Sequence, residues 1–305
     1  MANEILYSGL GDLRLAAILQ QELVMKLADR ASLRGHQSVI YLGNITGEGS
    51  TADKIGIVGL DGYDVMSSVA ENATTSNTAL TDAAATITVA RYAKQYQMSD
   101  LARFTDSLGE LSVPVLVQDA VMSADMTFQT ALADVTDGFS NNVGTTEVDL
   151  SLDNFYDAVY QLESQSVPGP YLCMLHPVQY ADFQNSLRAE AGAIQFMPAT
   201  AEALSIRGPG FKGSFAGCEI FVSSKVPTAN GGEDRAGAMW GRGAVAYKDA
   251  TPLPAQGAGL SVAAGPVMIE FERDAGYAYT KVVSNYYFGV GIVEDLRGVS
   301  IITDA

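Results

Sequence analysis

Histidine is the side chain best suited to acid and base chemistry at neutral pH, and the chain has only His36 and His176. His36 lies in the polar segment 34–37, where the sequence shows no partner for it. His176 follows Cys173 at the spacing Cys-x-x-His, which supplies two ligands but no second pair to complete a four-ligand zinc site. We therefore predict that both histidines are structural, and we predict neither a metal site nor a cofactor.

The segment 208–213 matches the glycine pattern GxGxxG of dinucleotide-binding proteins. That motif needs a strand before it and a helix after it, whereas here a strand is predicted to follow. The sequence contains no phosphate-loop GxxxxGK[ST], no GxSxG nucleophile motif and no HExxH zinc motif. These observations predict a protein that is not an enzyme, with no catalytic residue.

Carboxylate pairs are the remaining candidates for catalysis, because two of them suffice for glycoside hydrolysis. Glu270 and Glu272 would face the same side of a strand, with Asp274 two residues further along. The chain has 35 acidic residues, so such pairs arise by chance. A hydrolase that uses only Glu270, Glu272 and Asp274 remains an alternative hypothesis.

The charge of the chain is strongly negative and unevenly distributed. The net charge is −17, and residues 104–187 contain twelve acidic residues but no Lys or Arg. A negative face cannot gain the counterion-release energy that drives binding to phosphates. The charge therefore disfavours nucleic-acid binding as the function.

Low charge density is the second feature of the composition. Charged residues make up 17% of the chain and apolar residues 48%, whereas soluble domains are typically about 25% charged. Uncharged surface of this kind is typical of contacts between subunits, which predicts a homo-oligomer, with a β-rich monomer as the alternative. No apolar stretch is long enough to span a membrane, and no secretory signal is recognisable, so we expect a soluble protein without a membrane partner.

A long two-stranded excursion from the body of the protein is predicted over residues 55–98. Within it, 15 of the 22 residues from 67 to 88 are Ser, Thr or Ala, which cannot build a core. Residues 86–94 are rich in β-branched and aromatic side chains, as is typical of a strand. Because an isolated hairpin is marginal in water, the excursion needs a surface to lie on, and a neighbouring subunit is the natural candidate. Disorder of this segment is the competing explanation.

The remaining elements follow from hydrophobic periodicity. Helical spacing predicts an amphipathic opening segment over 1–35 and a long helix over 112–137. Shorter helices are predicted at 99–106 and 151–165 and from Pro177 onward. Strands are predicted at 171–175, 218–224, 237–248, 266–273, 277–293 and 299–303. Helices and strands segregate rather than alternate, which favours the α+β class.

This order of parts resembles the major capsid proteins of tailed bacteriophages, which have the Hong Kong 97-type shell fold. Three stretches carry the resemblance: Leu-His-Pro at 175–177 opening a helix, the turn, strand and Val-Pro of 213–227, and Met-Ile-Glu-Phe-Glu-Arg-Asp at 268–274. They are patterns of residue type rather than a catalytic signature, and together with the order of elements they cover most of the chain.

The resemblance implies a Hong Kong 97-like fold of the α+β class, with an N-terminal arm (1–50) and an extended β-hairpin loop (51–98). A peripheral domain with a long spine helix would comprise 99–150 and 266–305, and an axial domain 151–265. The resemblance further implies a structural protein that self-assembles through pentamers and hexamers into an icosahedral shell enclosing phage double-stranded DNA. Such a shell would be assembled in the host cytoplasm and become the virion capsid.

The partners implied by the resemblance are other copies of the chain and a portal protein, with scaffolding and decoration proteins as open alternatives. We expect no additional amino-terminal scaffolding region of the kind that some relatives carry. DNA would be enclosed without sequence-specific binding. An encapsulin-type compartment that stores a cargo enzyme is the alternative within the same fold, and a monomeric ligand-binding β domain is a further one.

Four cations around the predicted excursion are the candidate residues for contacts between subunits: Lys54, Arg91, Lys94 and Arg103. In so acidic a chain, an acidic residue of a neighbouring subunit is the expected target of each. One exposed ion pair contributes at most about 1 kcal/mol, but a closed lattice repeats it many times.

Overall fold

We analysed the fold in a computed structural model of the chain. The structure describes residues 33–58, 68–75, 82–105, 113–189, 196–208, 210–252 and 260–304. Most of the predicted opening segment over 1–35 lies outside these residues.

The described residues form five α-helices and three β-sheets. The helices are α1 (Asp100–Thr105), α2 (Val113–Thr136), α3 (Leu152–Ser164), α4 (Pro177–Ala189) and α5 (Ala201–Arg207). The first eight strands are β1 (Val39–Asn44), β2 (Ala52–Val58), β3 (Asp82–Thr88), β4 (Ala90–Ser99), β5 (Asn142–Val143), β6 (Tyr171–Leu175), β7 (Met197–Pro198) and β8 (Phe211–Phe215). The others are β9 (Cys218–Val222), β10 (Thr228–Ala229), β11 (Asp234–Trp240), β12 (Val245–Asp249), β13 (Leu260–Ala264), β14 (Val267–Asp274), β15 (Tyr279–Ile292) and β16 (Gly298–Asp304).

Two large sheets and one ribbon are built from these strands. The six-stranded sheet has the order β1-β12-β15-β14-β13, and β4 also pairs with β15. The eight-stranded sheet has the order β5-β16-β11-β6-β9-β8-β7, and β10 also pairs with β11. The ribbon consists of β2 and β3 alone. The chain therefore has the predicted mixture of helices and largely antiparallel sheets.

The long helix α2 lies between the two large sheets. At a rise of about 1.5 Å per residue it spans about 36 Å, and the predicted bounds of 112–137 agree with it. Its buried residues recur at helical spacing and pack in one hydrophobic core with both sheets. The helix contributes Val117, Ala120, Val121, Ala124, Phe128, Leu132 and Ala133. The eight-stranded sheet contributes Leu172, Met174, Phe221, Ala238 and Trp240, and the six-stranded sheet Tyr247, Val267, Ile269, Val282, Tyr286 and Phe288.

A second hydrophobic core lies on the other face of the eight-stranded sheet, under α3 and α4. The five residues of β6 are all buried, because alternate side chains enter different cores: Leu172 the first, and Cys173 and Leu175 the second. The Ser151 hydroxyl caps α3 by accepting a hydrogen bond from the backbone N–H of Asn154 at 3.2 Å. Both α3 and α4 begin within one residue of their predicted starts.

The structure divides the predicted excursion into two parts. β2 and β3 pair with each other over their full lengths and form the ribbon. β4 instead pairs with residues 279–288 of β15 inside the six-stranded sheet. The two-stranded part therefore ends at Thr88 rather than at residue 98. The side chain of the next residue, Val89, is buried at the point where the chain enters the sheet.

The single strand predicted over 237–248 was wrong. The chain forms β11 and β12 there, which belong to different sheets. The turn between them includes Gly243, whose positive φ of 96° is readily adopted only by glycine. The glycines at 241 and 243 mark this crossing point in the sequence, and the prediction of a single strand overlooked them.

No helix among the described residues combines the length and the apolar character needed to cross a bilayer.

The first prediction concerns α2. Phe128 is 2% exposed, and its ring centroid lies 5.3 Å from that of Tyr247 and 5.6 Å from that of Phe288. We expect Phe128→Ala to lower the free energy of unfolding by about 3–5 kcal/mol, because it opens a cavity between the helix and the six-stranded sheet. Met126→Ala, at a position that is 39% exposed, is the matched control and should change it by no more than about 0.5 kcal/mol. Urea denaturation measures both, and equal losses would contradict the packing described here.

Candidate assembly surfaces

The base of the ribbon is fixed to the six-stranded sheet by ion pairs. Lys248 on β12 is buried, and its Nζ lies 2.9 Å from a carboxylate oxygen of Glu48 and 2.5 Å from one of Asp53. Asp53 is in β2, and Glu48 lies just before that strand. A buried ammonium group needs such partners, because leaving it unpaired would be strongly destabilising. The two carboxylates therefore fix where the ribbon leaves the body.

Packing against β15 holds the same end of the ribbon. Ile87 is 1% exposed, and a Cβ at Gly289 would come within 2.3 Å of the carbonyl oxygen of Thr88. Glycine is thus required at position 289 for β3 to approach. The neighbouring ribbon residues Ala84 and Thr86 are exposed, so the contact with the body is made at the base.

Lys54 lies on β2 opposite Thr86 and is exposed. No ion pair to Lys54 is formed by the residues that the structure describes. Its assignment to a contact with a neighbouring subunit stays a prediction. Arg103 lies in α1, and its side chain is outside the described part of the structure.

Lys94 has an acidic partner within its own chain. Its Nζ lies 2.9 Å from both carboxylate oxygens of Asp119 on α2 and 3.2 Å from the hydroxyl of Ser123. The Tyr96 hydroxyl also donates a hydrogen bond of 2.7 Å to Asp119. Partial burial raises the pKa of Asp119, but the hydrogen bonds from Tyr96 and Lys94 outweigh it, so the pKa is lowered overall. Lys94 thus fastens β4 to the long helix, a role that the sequence alone did not indicate.

Arg91 lies three residues before Lys94 on β4 and borders a groove between β4, β15 and α2. Its Nε donates a hydrogen bond of 2.8 Å to the side-chain oxygen of Asn285. The groove has a volume of about 590 Å³, and Arg91, Lys94 and Lys225 all line it. Lys225 was missed by the sequence analysis, because it is more than a hundred residues away along the chain and only the packing of the eight-stranded sheet brings it here.

An acidic and aromatic surface covers the exposed side of α3; we refer to Asp153, Tyr156, Asp157 and Tyr160 as the α3 face. Both aspartates are exposed, Tyr156 is 39% exposed and Tyr160 is 69% exposed. Further carboxylates lie nearby: burial, followed by the negative charges of Asp149 and Asp304, raises the pKa of Asp182 on the adjacent α4. This region belongs to the cation-free stretch 104–187.

The carboxylates of the alternative enzyme hypothesis do not form an enclosed site. Glu270 accepts a hydrogen bond of 2.8 Å from Asn285, Glu272 lies 3.8 Å from the ammonium group of Lys281, and Asp274 accepts one from the backbone of Gly276. All three are on the surface of β14, and none lines the groove. Within the described ranges, no group of three or more His, Cys, Asp or Glu side chains is placed to hold a metal ion.

Cys173 and His176, which have metal-ligand spacing in the sequence, lie in different surroundings. Cys173 is buried in the second core, whereas the Nδ1 of His176 accepts a long hydrogen bond of 3.4 Å from the backbone of Val178 at the start of α4. Burial raises the pKa of the Cys173 thiol well above its usual range, which makes it a poor metal ligand. Cys218 is likewise buried and free.

His36 lies in a segment that joins the two sheets. Its Nε2 is 2.7 Å from a carboxylate oxygen of Glu219 in the eight-stranded sheet, and Glu219 also forms an ion pair with Arg207. Two residues earlier, Arg34 forms an ion pair with Asp249 in the six-stranded sheet. Sequence spacing could not show these partners, because they come from distant strands.

The protonation state of His36 follows from its surroundings. Burial, assisted by the positive charge of Arg207, lowers its pKa to about 4. The ring is therefore neutral at pH 7. The backbone N–H of Ser38 donates to Nδ1 at 3.2 Å, so the proton is on Nε2 and is donated to Glu219.

The pairing of Lys94 with Asp119 generates the second prediction. We expect Lys94→Met to lower the free energy of unfolding by up to about 1 kcal/mol at pH 7, since the pair is largely exposed. Because the pKa of Asp119 is lower in the folded chain than its unfolded value of 3.8, this carboxylate stabilises the fold at pH values above 3.8. The difference in stability between the wild type and Lys94→Met should therefore disappear as the pH falls through the lowered pKa. Lys54→Met is the control and should leave unfolding unchanged at every pH. Urea titrations at pH 7, 5 and 3 test this, and a pH-independent loss would exclude the ion pair as its cause.

His36 generates the third prediction. Its folded pKa of about 4 lies below the unfolded value of 6.5, so the unfolded chain binds more protons and stability falls as the pH drops through this window. The loss between pH 7 and pH 5 should be about 2 kcal/mol for this group. His36→Gln keeps an N–H donor for Glu219 but does not titrate, and it should remove that part of the acid sensitivity. Equal acid sensitivity of the two proteins in urea denaturation would refute the assignment.

Comparison with known proteins identifies the family and the fold of the chain. A family model described as phage capsid protein matches residues 83–302, which is more than half of the chain. No curated protein sequence matches the chain.

Solved structures with similar folds include two phage proteins and one encapsulin. The capsid of cyanophage P-SCSP1u is 15% identical with a TM-score of 0.58, over 90% of this chain and 88% of that chain. A chain of Mycobacterium phage Che8 is 16% identical with a TM-score of 0.55, over 82% and 84%. The SrpI encapsulin of Synechococcus elongatus PCC 7942 is 13% identical with a TM-score of 0.59, over 87% and 85%. These likenesses establish the predicted Hong Kong 97-like fold, and the match to the family model shows that this chain belongs to the phage capsid protein family.

Proposed function

We propose that the chain is a shell subunit that assembles through pentamers and hexamers into a closed icosahedral capsid around phage double-stranded DNA. The observation that carries this proposal is the family match over 83–302, which spans the long helix and nearly all strands of both large sheets. Assembly takes place in the host cytoplasm. A portal protein is a further partner, and scaffolding and decoration proteins fit the same class of shell.

The ribbon supports assembly, because it is anchored at its base while Lys54, Ala84 and Thr86 on it are exposed. A two-stranded ribbon with small side chains gains little from burial on its own. Its stable position in a shell is against another copy of the chain. We propose it as the extended loop of the subunit, with Lys54 among its contacts.

The division into domains follows the two large sheets. We propose that the six-stranded sheet and α2 form the peripheral domain, and that the eight-stranded sheet with α3 and α4 forms the axial domain. Three strands cross the boundary expected at residue 265, since β12 and β13 belong to the six-stranded sheet and β16 to the eight-stranded one. β1, within the predicted arm, also belongs to the six-stranded sheet.

The negative charge of the chain supports enclosure of DNA without specific binding. A net charge of −17 repels phosphate groups within about one Debye length of 8 Å. A shell made of such subunits can hold packed DNA without adhering to it.

An encapsulin-type compartment is the second candidate function, and the similarity to the SrpI encapsulin favours it. The contents of purified particles separate the two candidates. Nuclease-protected DNA supports the capsid, whereas a protein cargo without DNA supports the compartment.

The fourth prediction tests assembly through the ribbon. Residues 55 and 85 lie opposite each other in the ribbon. The backbone N–H of Val89 donates to the carbonyl oxygen of Thr51, and hydrogen-bonded pairs alternate with non-hydrogen-bonded pairs along antiparallel strands. The pair 55–85, four residues further along, is therefore also a hydrogen-bonded pair. Replacing residues 56–84 with Asn-Gly closes the hairpin at this pair with a two-residue turn and keeps the base intact.

We expect the wild-type chain to form closed particles in electron micrographs and light scattering. The shortened chain should keep its circular dichroism spectrum and a cooperative thermal transition but form no closed particles. Lys212→Glu, an exposed substitution away from the ribbon, is the control and should leave particle yield unchanged. A wild-type chain that remains monomeric at high concentration would overturn the proposed function.

A further inference from the structure

The groove between β4, β15 and α2 is positively charged in a strongly negative protein. None of the described residues that line it is Asp or Glu, whereas Arg91, Lys94 and Lys225 all do so. Lysine and arginine together account for only 18 residues in the chain. Three of them converging on one groove requires an explanation beyond solubility.

Two of these three cations are available to an external partner. Lys94 is already neutralised by Asp119. Arg91 uses its Nε on Asn285, a neutral side chain whose amide in turn donates to Glu270 at 2.8 Å, so Arg91 forms no direct ion pair there. Lys225 is exposed and forms no ion pair with any residue in the described part of the chain. The groove therefore presents two cations that make no direct ion pair with a described carboxylate.

The rim of the groove also has an apolar component. Tyr92 is 38% exposed and Met126 is 39% exposed, and both line it. A matching surface would carry carboxylates and aromatic rings together. Tyrosine suits such a contact, because its ring packs on apolar side chains and on guanidinium groups while its hydroxyl stays hydrated.

The α3 face has this chemistry. Asp153 and Asp157 are four residues apart, as are Tyr156 and Tyr160, so each pair lies on one side of the helix about 6 Å apart. The α3 face is acidic and aromatic at once.

The two surfaces lie on different parts of the subunit. The groove is formed by the six-stranded sheet and α2, whereas α3 packs on the far side of the eight-stranded sheet. A contact between unlike patches of identical chains is heterologous, and it closes into a ring when the rotation between subunits allows it.

We propose that the groove of one subunit binds the α3 face of a second copy of the chain, with Arg91 and Lys225 facing Asp153 and Asp157. This inference rests on the proposed shell function and names the contact through which neighbouring subunits join. A bound duplex is the less favoured occupant, because the exposed Tyr92 and Met126 in the rim suit a protein surface.

Charge exchange is the fifth prediction. Arg91→Glu with Lys225→Glu leaves the Lys94–Asp119 pair intact and should lower particle yield at least about 10-fold by like-charge repulsion. Asp153→Lys with Asp157→Lys should do the same. The chain that carries all four substitutions should recover most of the wild-type yield, because the contact is restored with its charges reversed.

Matched controls separate the contact from net charge and from folding. Lys212→Glu with Arg242→Glu changes the net charge as the groove variant does and should leave the yield unchanged. The midpoint of thermal unfolding of each unassembled variant should match that of the unassembled wild type to within a few degrees. Normal yield from either double variant, or no recovery in the fourfold variant, overturns the inference. If the groove variant assembles normally but no longer binds added double-stranded DNA, the groove binds nucleic acid, and this result also overturns the inference.

A measurement that does not depend on shells distinguishes this inference from the proposed function. Chains with Lys225→Cys and chains with Tyr160→Cys, mixed and oxidised, should form a covalent dimer, while Lys212→Cys in place of Lys225→Cys should not. Dimers without particles would support the contact and contradict the shell, and particles without dimers would support the shell and contradict the contact.

Discussion

Burial of the long helix α2 between two sheets is the constraint on which the rest of the structure depends. The buried face of the helix packs in a single hydrophobic core with residues of both the eight-stranded and the six-stranded sheet. Phe128 and Trp240 are among the largest fully or nearly fully buried side chains in it. Close packing of this kind resists deformation, so the groove, the ribbon base and the α3 face are presented at fixed positions.

Ion pairs and hydrogen bonds fix the positions of segments that hydrophobic packing alone does not determine. Lys94 fastens β4 to α2, Lys248 fixes the base of the ribbon, and the segment with Arg34 and His36 joins the two sheets. Each of these contacts pairs a cation or a histidine with a carboxylate that is remote in sequence. In a chain with 18 basic and 35 acidic residues, carboxylates outnumber the cations that could pair with them, so a surplus of negative charge remains.

Periodicity allowed the large elements to be predicted, because α2 and α3 must each bury one face at helical spacing. The α+β class and the capsid resemblance followed from their order. The sequence did not show that residues 237–248 cross from one sheet to the other, since Gly241 and Gly243 indicate a turn but not that the strands on either side belong to different sheets. It also could not place Lys94 beside Asp119 or Lys225 in the groove, because these proximities depend on how the sheets stack on α2.

In the proposed shell, the ribbon is stabilised by a second copy of the chain. A cryo-electron microscopy reconstruction of purified particles would show where the ribbon lies. We expect a shell one subunit thick in which density for residues 52–88 lies across a neighbouring subunit while its base stays beside β15. Density for this ribbon folded against its own subunit, or a preparation that contains only single compact subunits, would contradict it.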